Sequence, residues 1–112
     1  MTKNEIEEMV VIGSRITVKA ENRREFLELT TALLAPTQAE AGCLTYLFYE
    51  DPNRANHFFF FEEWRNRAAF DRHHAAPLIK NYEARIPKWL AETVVVNLYE
   101  VRNLTVMTAE PV

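Results

Sequence analysis

Apolar and polar positions along this chain repeat with two periods, and the points where the period switches mark its elements. Residues 9–18 (MVVIGSRITV) alternate as a strand. From residue 20 to about residue 40 the period lengthens: Phe26, Leu29, Leu33 and Leu34 fall at helical spacing, with Glu21 and Glu25 suited to the positive end of a helix dipole. Pro36 should kink that helix or free a carbonyl, and Gly42 should close it. Residues 43–50 (CLTYLFYE) return to strand character, residues 51–56 (DPNRAN) are turn-forming, and four phenylalanines then lead through Glu62 and Glu63 to Trp64, giving a hairpin. Asn66 is a suitable N-cap for a short helix reaching His73 and His74. Residues 77–90 read as a further helix that opens on Pro77, with Leu78, Tyr82, Ile86 and Trp89 or Leu90 on one side. Residues 93–101 (TVVVNLYEV) form a last strand, and residues 102–112 show no period.

The phenylalanine strand is apolar on both faces. Phe58, Phe60, Glu62 and Trp64 share one face, while His57, Phe59, Phe61 and Glu63 share the other. Two or three helices cover only one face of a small sheet. A second copy of the chain is the simplest cover for the other.

The order β-α-β-β-α-β predicts an α+β fold, a ferredoxin-like split βαβ sheet with helices on one face. Residues 1–8 are a polar lead-in, 9–101 the domain and 102–112 a tail. At 112 residues the chain is long enough for one domain with its own core.

Composition narrows the function. A net charge of -3 and no basic stripe argue against nucleic acid as partner. The lone cysteine, Cys43, cannot form an internal disulfide and suits a reducing, cytoplasmic setting; without an adjacent cation it reads as an inert apolar residue. No apolar run reaches membrane-spanning length. His57, His73 and His74 do not form a metal set, because the adjacent pair diverges on one helix and His57 lies on the strand face opposite Glu62. No phosphate-cradling glycine loop is present.

The candidate chemistry therefore rests on a few side chains. His73 and His74 both fall within a turn of Phe70, and periodicity does not choose between them. Glu62 is a carboxylate set among aromatics. Buried and unpaired, it would titrate high and serve as acid or base; meeting Arg65, Arg85 or a backbone amide, it would be structural. Trp64 is core, pocket wall or both, and Tyr46 is a strand aromatic.

The stretches GCLTYLFYEDP, FFFFEEW and AFDRHHAAP, in this order and spacing, resemble the antibiotic biosynthesis monooxygenase family, which includes small quinol monooxygenases. The resemblance covers roughly residues 9–101. It implies a dimeric α+β barrel, two ferredoxin-like sheets packed face to face. It also implies an oxygenase needing no metal or flavin cofactor, acting on an electron-rich phenol, quinol or anthrone that itself reduces dioxygen. The family pattern selects His73 over His74 and matches Glu62 and Trp64 as catalytic positions. Tyr46, Phe60, Ser14 and Phe70 are then expected to contact substrate. Phe70 stands where anthrone oxygenases carry a tyrosine. Ser14 and Glu83 stand where heme-degrading relatives carry an asparagine and a heme-ligating histidine, so heme degradation is not implied. Two other classes stay open: an isomerase or epimerase of a small oxygenated metabolite, and a non-catalytic dimer that binds a ligand or fills its pocket with its own phenylalanines.

Overall fold

The computed structural model describes residues 8–112, so most of the expected lead-in lies outside the described residues. Four antiparallel strands, β1 (Met9–Thr17), β2 (Cys43–Glu50), β3 (His57–Trp64) and β4 (Val95–Val101), form one sheet in the order β2-β3-β1-β4. Three helices, α1 (Arg23–Gln38), α2 (Arg67–Ala75) and α3 (Pro77–Arg85), complete the split βαβ, ferredoxin-like plan.

Register decides what meets what across the sheet. Ser14 on β1 sits between Phe60 on β3 and Val96 on β4, and Tyr46 on β2 pairs with Glu62 on β3. One face therefore carries Val10, Ile12, Ser14, Ile16, Tyr46, Phe58, Phe60, Glu62 and Trp64, all buried. Phe26, Thr30, Leu33, Ala69, Ile79 and Tyr82 from the helices close over it. The alternate positions form the opposite face, where Leu47, Tyr49, Phe59, Val95 and Tyr99 are exposed and Phe61 is half-buried. A Cβ on Gly13 would stand 3.0 Å from the Phe59 ring, so the glycine lets that ring lie flat across the sheet.

Several elements differ from their sequence reading. The first helix starts as a 3-10 turn (Ala20–Asn22) and buries Phe26, Thr30, Leu33 and Thr37, while Leu29 and Leu34 are only half-buried. Gly42 has φ 85° but lies beyond the helix end. A Cβ there would come within 2.5 Å of the Ala69 Cβ, so Gly42 admits α2 against the start of β2. The helix expected over 77–90 stops at Arg85, because Pro87 has no N–H to continue it; Pro87–Trp89 is a separate 3-10 turn. Leu78 is exposed, and Ile79 takes the inward place with Tyr82 and Ile86. The last strand begins at Val95 rather than residue 93. Arg102 to Val112 has no regular structure, and Leu104, Val106 and Met107 are exposed.

Candidate active site

The inner face of the sheet and the α2–α3 pair enclose a cavity of about 150 Å³. Ile12, Ile16, Phe60, Ile79, Ile86 and Val94 give it an apolar lining. Ser14, Tyr46, Glu62, His73, Tyr82 and, toward the rim, His74 and Glu83 supply its polar groups. A wider cleft of about 520 Å³ opens at the other end of the sheet between Arg15, Tyr49, Arg54, His57, Phe59 and Glu92, and holds none of the site residues expected from sequence.

Helix α2 is what brings His73 to the cavity. The Asn66 side chain accepts from the Ala69 N–H at 2.9 Å, capping the helix two residues after β3 ends. The Arg65 N–H donates to the Gly42 carbonyl at 2.8 Å and ties the same junction to β2. Seven residues beyond Asn66, about two turns, His73 is turned inward and buried. Its ring packs 4.6 Å from the Trp64 ring and meets Tyr46 edge-on at 5.6 Å. Its Nδ1 lies within hydrogen-bond distance of Glu40 Oε2, at 3.0 Å. His74 points the other way, exposed, paired with Glu83 at 2.9 Å and stacked on Phe70.

Glu62 is buried, and its partner is neither Arg65 nor Arg85 but the Trp64 indole, whose Nε1–H donates to Oε1 at 3.0 Å. One neutral donor does not replace lost water, so burial pushes this carboxyl up to about 7, with the Glu40 charge adding to the rise. Burial also raises the Tyr46 hydroxyl well above the ordinary phenol range, with Glu62 contributing. Tyr82, hydrogen-bonded to Thr30 Oγ1 at 2.8 Å, is raised by burial as well. Cys43 is pushed up to about 11 by burial and by Glu40 and Glu62, which leaves a thiol with little nucleophilic character.

Of the residues expected from sequence, Ser14, Tyr46, Phe60, Glu62, Phe70 and His73 line this one cavity. Trp64 does not. It is fully buried and stands behind His73 and Glu62, holding both. His57 is remote on the outer face, beside Arg54 and Glu92. Sequence reasoning missed Glu40, which is brought to His73 across 33 residues with no local signal, and the hydroxyl of Tyr82, which read only as part of an apolar stripe. Among the described residues, no three His, Cys, Asp or Glu side chains are grouped to hold a metal ion. Among the same residues, no helix is long and apolar enough to cross a membrane.

Comparison with known proteins shows what the chain as a whole is similar to. A protein of Synechocystis sp., "Uncharacterized protein sll1783", is 37% identical over 92 residues, 82% of this chain and 63% of that protein. The present chain thus spans less than two thirds of that relative's length. "Putative monooxygenase Rv0793" of Mycobacterium tuberculosis is 32% identical over 89 residues, covering 80% of this chain and 87% of that one. The solved structure of Rv0793 superposes with a TM-score of 0.78 over 91% of this chain and 99% of its own, at 28% identity. A Deinococcus radiodurans structure described as a putative antibiotic biosynthesis monooxygenase shares the fold, with a TM-score of 0.82 over 89% of this chain and 99% of that one at 24% identity. The family profile described as Antibiotic biosynthesis monooxygenase matches residues 9–85, and the chain belongs to that family.

Proposed function

We propose that this protein is a cofactor-independent monooxygenase that oxidises a phenol, quinol or similar electron-rich aromatic with dioxygen. The observation that carries this reading is the convergence of Glu62, His73 and Tyr46 on one largely apolar cavity. A volume of about 150 Å³ suits a single ring. His73 is the group we assign to take the phenolic proton, with Glu62 as a second acid or base titrating near neutrality. Ser14 and the Tyr46 hydroxyl orient the ring oxygens, and Phe60 and Phe70 hold the ring itself. The phenolate gives one electron to dioxygen, the resulting radicals join at a ring carbon, and the hydroperoxide loses water to leave a quinone carbonyl. Phenol and dioxygen thus become quinone and water.

We also propose that the working unit is a homodimer joined through the outer sheet face, in the cytoplasm. Leu47, Tyr49, Phe59 and Tyr99 are exposed on that face, and exposed large apolar side chains of this kind mark an interaction surface.

The presence of two proton acceptors, Glu62 and His73, on one cavity also supports an isomerase or epimerase. An open cavity counts against a dimer that merely fills its own pocket. Aerobic turnover of a panel of quinols, phenols and enolisable metabolites under labelled dioxygen tests these readings. Monooxygenation puts one labelled oxygen atom into the product. Anaerobic solvent-deuterium exchange into an enolisable metabolite, without oxygen uptake, would replace it by the isomerase.

A further inference from the structure

The His73 ring is held on three sides. Trp64 packs at 4.6 Å, Tyr46 meets it edge-on at 5.6 Å, and Glu40 Oε2 lies 3.0 Å from Nδ1. The His73 side chain is almost completely buried. Glu40 does not line the cavity, whereas the His73 ring does. Glu40 itself sits in the turn between α1 and β2, pinned by its own N–H to the Thr37 carbonyl at 3.0 Å and by the Cys43 N–H to its carbonyl at 3.1 Å. A short, braced turn of this kind offers its carboxylate from a fixed place.

A carboxylate accepts hydrogen bonds and donates none, so the proton on the His73 ring belongs on Nδ1. Nε2 then carries the lone pair, and it has no partner among the described residues. Resting on the monooxygenase reading, we infer that Glu40 is the positioning residue for His73: it fixes the Nδ1–H tautomer, keeps Nε2 bare for the substrate hydroxyl, and stabilises the imidazolium formed when that proton moves. The substrate O–H bond breaks, its electron pair stays on the phenolate oxygen, and the proton forms the new Nε2–H bond. The other ionisable groups near the ring are Tyr46 on β2, Glu62 on β3, Tyr82 and Glu83 on α3, and His74 on its own helix.

The test reads the tautomer directly and needs no substrate. The chain has three histidines, so long-range 1H–15N spectra of the full-length protein at pH 7.5 can be assigned with His57→Gln and His74→Gln. The expected pattern for His73 is a protonated Nδ1 and a bare Nε2, lost or mixed in Glu40→Ala and kept in Glu40→Gln, whose amide oxygen still accepts. With a turned-over quinol, both variants should lose about tenfold or more in kcat, with KM within about threefold, since neither carries the charge that steadies the imidazolium. A protonated Nε2 in the parent protein, or a tautomer unchanged in Glu40→Ala, overturns the inference even if quinol turnover is robust. A tautomer that depends on Glu40 in a protein that oxidises no quinol upholds the positioning role and removes the monooxygenase reading alone.

Discussion

Trp64 donates its indole N–H to the carboxylate of Glu62 across 3.0 Å, two residues away on the same buried face of one strand. That contact orients Glu62 without neutralising it, and the sign of its effect on stability follows. The folded carboxyl titrates at about 7, above its ordinary 4.5, so Glu62 favours the fold fully below about pH 4.5 and loses that contribution as pH rises through 7. The loss amounts to about 3 kcal/mol. Glu62→Gln should therefore be more stable than the parent at pH 8 by up to about that amount, with the gap closing toward pH 4.5. Urea titrations at three pH values measure it, and a gap independent of pH would refute the buried-carboxyl picture.

His73 and His74 are neighbours in sequence with opposite surroundings. His73→Ala should lose about 100-fold or more in turnover while still folding and dimerising. His74→Ala, which removes only an exposed pair with Glu83, should stay within about threefold of the parent. Steady-state kinetics on both variants, with circular dichroism as the folding check, decides the assignment. Equal activity in His73→Ala removes it as base.

The outer face should hold two chains together. Sedimentation at micromolar concentration is expected to show a dimer, and Phe59→Glu or Leu47→Glu should give monomers, because either would bury an unpaired charge in an apolar interface. A well-folded monomer in the parent protein would exclude this assembly.

Gly42 is the position where α2 is most easily unseated. With φ at 85° and the Ala69 Cβ only 2.5 Å from where a new Cβ would stand, Gly42→Ala should cost at least about 2 kcal/mol. Asn66→Ala, which uncaps the same helix, should cost about 1 kcal/mol through the lost cap. Thermal denaturation ranks the two, and the reverse order would mean that the cap rather than the close approach seats α2.

The elements that could be read from sequence were those with local chemistry. β2, the turn after it, β3 and the Asn66 cap fall where aromatic runs and turn residues put them. α3 ends short of the sequence expectation because a second proline, Pro87, outweighs a continuing apolar stripe, and Ile79 rather than Leu78 turns inward, a phase that two apolar neighbours on a short helix leave open. Alternation put Trp64 on the inner face correctly but carries no information on depth. Whether a ring lines a cavity or backs it depends on α2, which crosses over the end of the strand. Glu40 was invisible for the same reason, since its partner arrives through tertiary packing alone.

The strand order also sets a sequence of events during synthesis. β1 is made before both of its partners, β3 on one side and β4 on the other, and Met9 waits for Val101 before its last pairing can form. Only β2 and β3 can zip locally. A nascent chain emerged only as far as about residue 90 would hold the hairpin and all three helices, yet leave one edge of β1 bare and lack the Val94 and Val96 wall of the cavity. The cavity wall is therefore completed last. Limited proteolysis of ribosome-stalled chains carrying C-terminal linkers of graded length should place the gain of protection only after residue 101 has cleared the exit tunnel.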